Sequence, residues 1–191
     1  KYESTWERVV SRIKDVVTLP DQQNAALSNL ADLLLLTYAL RNADCHTKNI
    51  ALLYSSREQI ELAPVYDMLT ITVYDDYAKN PPGMAIEGRS TWRPGKALER
   101  FLQTRCNLAP AETLQRVERI CEAIVQVTPQ VIDSLRQYPS FHETGKRMLY
   151  AWNEGMNSLR LQKTWSLPRL DESIAAADLS APLPFKPNKP E

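Results

Sequence analysis

From about Asn24 to Leu40 the chain is apolar on nearly every side of a helix, through Leu27, Leu30, Leu33, Leu34, Leu36 and Tyr38. Such a helix cannot lie on a surface, so it predicts a central element with the rest of the domain packed around it. The segment before it supplies a first neighbour. Trp6, Val9, Val10, Ile13, Val16 and Val17 recur at three- and four-residue steps with charges between them, which is the period of an amphipathic helix. Leu19-Pro20-Asp21 separates the two, with Asp21 the expected cap. Downstream, Leu98, Phe101 and Leu102 form one helical stripe, and Leu114, Val117, Ile120, Cys121, Ile124 and Val125 form another. Pro110 suits a helix start, and Pro129 is expected to open the next short helix. A last long helix is expected over about Phe141–Leu161. Between these groups, Ile50–Tyr54 and Gln59–Leu62 flank the polar turn Ser55–Glu58 and read as a two-stranded hairpin. Thr70–Pro94, with Pro81, Pro82, Gly83, Gly88 and Pro94, is expected to be mostly loop. The predicted fold class is mainly α with a small β-hairpin. One domain is expected over residues 1–165, followed by a Pro-rich, extended tail over residues 166–191.

Length and composition narrow the function. At roughly 150 residues per domain, a 191-residue chain is one domain with a tail. Lys plus Arg is 23 and Asp plus Glu is 23, and a balanced charge argues against a general nucleic-acid or membrane-surface binder. The longest apolar run, near Leu33–Leu36, is far short of the roughly 18–20 residues that span a bilayer. Cys45, Cys106 and Cys121 are odd in number and widely spaced. They form no disulfide framework, and a reducing cytoplasm is the expected location. No second histidine or C-x-x-C pair accompanies Cys45 and His46, which argues against zinc. The start Lys1-Tyr2-Glu3 has neither a Met nor a leader pattern, so the sequence is expected to begin inside a larger protein. None of the five glycines forms a phosphate-cradling cluster. Such a loop is expected to lie outside this chain or not to exist.

The segment that carries chemistry is Asp44-Cys45-His46-Thr47-Lys48-Asn49, between the central helix and the hairpin, with Asp67 just past the hairpin. Phosphoryl transfer explains this set well. A loop Asp orients the attacking hydroxyl and takes its proton, an Asn five residues later ligates Mg²⁺, and a second Asp holds Mg²⁺ against the phosphates. The protein-kinase pattern H-R-D-x-x-x-x-N followed by D-F-G has the same step from Asp to Asn.

Asn42-Ala43-Asp44-Cys45-His46-Thr47-Lys48-Asn49 resembles the catalytic loop of HipA-like serine/threonine kinases, with its D-x-H-x-K-N core. Leu62-Ala63-Pro64-Val65-Tyr66-Asp67-Met68-Leu69 is similar to that family's metal-binding segment, and Met84–Gly88 with Trp92 to the strand and glycine turn that follow. The resemblance covers about Leu27 to Leu161. It implies the carboxy-terminal lobe of a bacterial toxin–antitoxin kinase that uses ATP and Mg²⁺. Residue by residue, it implies Asp44 as base, Asn49 and Asp67 as Mg²⁺ ligands, and His46 and Lys48 beside the transferred phosphate, Lys48 also touching nucleotide. It further implies a protein substrate such as an aminoacyl-tRNA synthetase, a DNA-binding antitoxin partner, and an N-lobe that carries the nucleotide clamp. Tyr66-Asp67-Met68 lacks the glycine of D-F-G, so no D-F-G-type flip is expected.

Plainer roles stand beside these. Asp44 can cap a turn, Asn49 can hold a left-handed turn position, His46 can order the loop, and Asp67 can cap a helix. Trp92, Trp152 and Trp165 are expected to be packing residues, and Arg93, Lys96, Arg100 and Arg105 a solvated face. At the level of the whole chain, the alternatives are a degenerate lobe that binds a partner, and a small-molecule or lipid kinase. The D-x-H-x-x-N spacing also resembles the phosphoinositide-kinase loop. The absence of a basic or amphipathic membrane segment weighs against lipid.

Overall fold

The computed structural model describes residues 4–56, 58–159 and 168–177. Six helices and one hairpin carry the described residues. They are α1 (Trp6–Val16), α2 (Pro20–Ala39), strands β1 (Leu52–Tyr54) and β2 (Ile60–Leu62), α3 (Lys96–Thr104), α4 (Pro110–Gln137), α5 (His142–Ser158) and α6 (Asp171–Ala176). The predicted class, mainly helical with one small antiparallel hairpin, is the observed one.

The all-round apolar helix is the centre. Within α2, Leu27, Leu30, Ala31, Leu34, Leu35, Tyr38 and Ala39 are buried to 1% exposure or less, and α1, α4, α5 and β2 all pack against it. The helix begins earlier than expected. Pro20 occupies its first turn, where the missing N–H costs nothing, and Asp21 lies in that turn rather than capping it. A side-chain clamp ties α4 to α2. Arg116 donates to Asp32 Oδ1 at 2.8 Å and to Glu112 Oε1 at 2.8 Å, and also bonds Ser28.

The hairpin pairs Leu52 with Leu62, Leu53 with Glu61 and Tyr54 with Ile60. After it, residues 70–94 are loop with two short 3-10 turns, Ile71–Val73 and Asp75–Tyr77. Glu87 and Gly88 take left-handed backbones (φ 49° and 73°), and Ile86 and Arg89 exchange both backbone hydrogen bonds. That is the tight turn expected at the glycine. Trp92 and Trp152 pack against the core as expected, whereas Trp165 lies outside the described residues.

Two expectations are corrected. Pro129 does not open a new helix but lies inside the 28-residue α4. The buried stripe Val117, Ile120, Cys121, Ile124, Thr128, Ile132, Leu135 runs through it unbroken, and this burial outweighs the roughly 3 kcal/mol an internal proline costs. The stretch after residue 165 is not wholly extended, because α6 forms there. Leu170 and Ile174, four residues apart, join the core at 0% and 7% exposure. The prolines from Pro182 onward lie outside the described residues.

Candidate active site

The site begins where α2 stops. Arg41 adopts a left-handed backbone (φ 55°), its N–H donates to Tyr38 O at 3.3 Å, and the Asn42 N–H donates to Thr37 O at 3.0 Å. This double closure is the usual way a helix turns off its axis, normally with glycine at the turning position. It delivers Asn42 to the interior at 2% exposure. Asn42 Oδ1 accepts from the Asp44 N–H at 3.0 Å, and Nδ2 donates to Asp67 O at 3.3 Å and to Met68 Sδ at 3.4 Å.

The loop then runs through His46 into a 3-10 turn, Thr47–Asn49. His46 is buried at 6% exposure. Its N–H donates to Asn49 Oδ1 at 3.2 Å, and its ring Nδ1 contacts the same oxygen. Asn49 Nδ2 in turn donates to Asp67 Oδ2 at 2.6 Å. Tyr66 Oη donates to Lys48 O at 2.9 Å. The loop and the segment past the hairpin are therefore joined by Asn42–Asp67, Asn49–Asp67 and Tyr66–Lys48. Of the five predicted residues, Asn49 and Asp67 are directly bonded, and His46 is bonded to Asn49. Asp44 is half-buried one turn away, and Lys48 is exposed beside Asn49.

Asp67 itself has a left-handed backbone (φ 53°), a conformation costing a non-glycine residue about 1 kcal/mol. Asn42 holds its carbonyl and Asn49 its carboxylate. Asp67 caps no helix, and Asn49 is not at a left-handed position. Both plainer roles are thereby excluded.

Two further residues shape the loop. A Cβ at Gly83 would lie 2.5 Å from the Cys45 carbonyl oxygen and 2.9 Å from that of Ala43, so only glycine lets this strand of backbone press against the loop. Cys45 is buried at 1% exposure, and burial pushes its thiol up to about 11. It is a packing residue. Cavities flank the 47–52 segment, one of about 610 Å³ against Arg8, Arg12 and Ile13 of α1 and one of about 430 Å³ against Asn29 and Asp32 of α2. Neither is lined by Asp44 or Asp67.

The sequence matches the HipA-like C-terminal domain family over residues 1–130. The chain belongs to that family. The match starts upstream of the expected Leu27, taking in α1, and ends within α4. No curated protein matches the chain. In this HipA-like domain, no cluster of three or more His, Cys, Asp or Glu side chains is placed to hold a metal ion among the described residues. No described helix is long and apolar enough to cross a membrane.

The donors that remain still fit Mg²⁺, which takes one or two protein oxygens and fills the rest of its shell with water and phosphate. Asp67 offers an exposed carboxylate. Asn49 Oδ1 is engaged by His46 while Asn49 Nδ2 faces Asp67, so Asn49 would join a metal only by turning its amide.

Neither Asn42 nor Gly83 stood out from the sequence as functional. Asn42 lies inside the motif but carries no charge, and Gly83 sits in a Pro-Pro-Gly loop that reads as an ordinary turn.

Proposed function

We propose that this HipA-like domain is the catalytic lobe of an ATP-dependent serine/threonine protein kinase. The observation that carries the proposal is the hydrogen-bonded chain that runs from Asn49 to Asp67, from Asp67 to Asn42, and from Asn42 to the Asp44 backbone. It brings together residues 25 and 18 positions apart in the order that phosphoryl transfer uses.

In this reading Asp44 accepts a hydrogen bond from the substrate hydroxyl, aims its oxygen at the γ-phosphorus, and takes the proton as ADP leaves. Asp67, joined by Asn49 once its amide turns, would hold Mg²⁺, which when bound offsets charge on the phosphates. His46 acts on Asn49, since its N–H and its ring Nδ1 both address the Asn49 oxygen. Lys48, exposed beside Asn49, supplies a positive charge to the transferred group. Val65, Tyr66 and Leu69, exposed at 43%, 43% and 60% beside Asp67, are available to nucleotide or to a second lobe bearing the phosphate clamp. An aminoacyl-tRNA synthetase as substrate, a DNA-binding antitoxin as partner, and a cytoplasmic location belong to the same proposal through the family.

The test is phosphotransfer from γ-labelled ATP with Mg²⁺ by the whole protein containing this domain, with the product identified as phosphoserine or phosphothreonine. Asp44→Asn should lower the rate by roughly 10²–10⁴-fold with an unchanged thermal midpoint. Near-full activity in that variant would remove Asp44 as the base.

A further inference from the structure

Asn42 holds a position that no catalytic role explains. It is a polar side chain at 2% exposure whose every hydrogen-bonding atom is in use. Oδ1 takes the Asp44 N–H at 3.0 Å, and Nδ2 serves Asp67 O at 3.3 Å and Met68 Sδ at 3.4 Å. The amide orientation is dictated by these partners. A backbone N–H can only donate and a backbone carbonyl here only accepts, so the flipped amide would lose both bonds. Its own backbone is pinned to the last turn of the core helix through Thr37 O. One side chain thus connects the rigid end of α2 to the residue proposed as base and to the residue proposed to hold metal.

We propose that Asn42 is a positioning residue that sets Asp67 in its metal-ready, left-handed conformation and fixes its distance from Asp44. This rests on the kinase reading above. Asp67 has φ 53° and no glycine to favour that conformation. The hydrogen bond from Asn42 falls on Asp67's own carbonyl, so it acts directly on the peptide unit whose rotation would release the carboxylate. Removing the amide frees that carbonyl to rotate and leaves the Asp44 N–H without its acceptor. Partners that orient a metal-binding side chain typically change metal affinity by roughly 10–100-fold when removed.

The experiment is a Mn²⁺ titration of the 191-residue chain, read by paramagnetic broadening of the Asn49 and Asp67 amide resonances, with thermal unfolding measured alongside. Asn42→Ala should raise the Mn²⁺ midpoint about 10-fold or more. Leu149→Ala, a cavity in α5 at a fully buried position, should lower the thermal midpoint while leaving the Mn²⁺ midpoint unchanged, which separates positioning from general destabilisation. If Asn42→Ala does not fold, Asn42→Ser is read in the same way, because its short hydroxyl cannot reach both partners. A Mn²⁺ midpoint within twofold of wild type in a folded Asn42 variant, with Asp67→Ala clearly weakened, would overturn this inference and leave the metal assignment standing. Equal midpoints in wild type and Asp67→Ala would overturn the metal assignment, and this inference with it.

Discussion

Gly83→Ala tests how tightly the loop around Asp44 is held. The added Cβ would sit 2.5 Å from the Cys45 carbonyl oxygen and 2.9 Å from that of Ala43. Both obstacles are backbone, so neither can swing aside as a flexible side chain would. Restoring an ordinary contact of 3.4 Å to Cys45 requires a displacement of about 0.9 Å. The Gly83 side cannot readily supply it, because Met84 and Ile86 are buried at 1% exposure just beyond. The movement is therefore expected in the loop, which carries Asp44 between the two carbonyls. A misplacement of about 1 Å costs roughly 10²-fold in rate, and overpacking of this kind costs about 1–3 kcal/mol of stability. The assay is phosphotransfer at saturating Mg²⁺-ATP in the whole protein, paired with thermal unfolding. Gly88→Ala is the control. Its Cβ would meet nothing within 4 Å, but its φ of 73° makes alanine strained. It should lose stability by about 1 kcal/mol and keep its rate. A folded Gly83→Ala enzyme within threefold of the wild-type rate would refute the argument that backbone contact at Gly83 fixes the loop.

Asp67→Ala should weaken Mg²⁺-dependent nucleotide binding more than Asn49→Ala, since a carboxylate is a stronger hard-cation ligand than an amide already engaged by His46; nucleotide affinity titrated against Mg²⁺ checks the order, and the reverse order would reassign the principal ligand. Arg116→Met should cost about 1–3 kcal/mol in urea denaturation, because it strips Asp32 and Glu112 of a guanidinium that is only 13% exposed; a loss under about 0.5 kcal/mol would place that clamp among ordinary surface pairs. Cys45, pushed by burial from 9.0 to about 11, should resist alkylation at pH 8 in the native protein. Between those two values the unfolded chain gives up the thiol proton while the folded chain keeps it, so stability should fall as pH rises from 9 to 11. Cys106, raised to about 12, contributes in the same sense. Cys45→Ala should flatten the fall, and an unchanged slope in that variant would contradict the assignment.

What could be read from the sequence was what depends on period and composition. The buried faces of α2 and α4 follow from apolar spacing, and the hairpin follows from two short apolar runs about a polar turn. What could not be read depends on distance in the chain. The polar run after Leu40 marked where α2 stops, but the left-handed turn at Arg41 did not show, because glycine is its usual signal. Pro129 looked like a boundary because its local penalty is visible in the sequence. The stripe that overrides the penalty becomes decisive only when α2 and α5 pack against α4. Asn42 and Gly83 were silent for a related reason. One acts through bonds to residues 25 and 26 positions away, the other through contact with backbone some 40 residues upstream, and neither leaves a pattern in its own neighbourhood.

The contacts that shape the loop extend beyond the family match, which ends at residue 130. In α5, outside that match, Gly155 is buried, and a Cβ there would run into Ala39 O and lie 2.6 Å from Tyr38 O. These are the last two residues of α2, and Tyr38 O is also the acceptor of the Arg41 N–H in the turn that hands the chain to Asn42. The helix α5 therefore presses on the carbonyl that shapes the entry to the loop proposed to be catalytic. Arg41 reaches back across the same junction to Glu154 at 3.6 Å and stacks over Trp92 at 5.1 Å. A polar loop of six residues cannot hold a carboxylate in place by itself, since fixing each residue's backbone costs roughly 1–2 kcal/mol. Its order is imposed by the end of α2, by the close approach of Gly83, by the bond from Asn42 to Asp67, and by α5 packed against the helix end. The matched region holds every residue proposed to touch substrate or metal, yet the geometry those residues need is completed by a helix that the match leaves out.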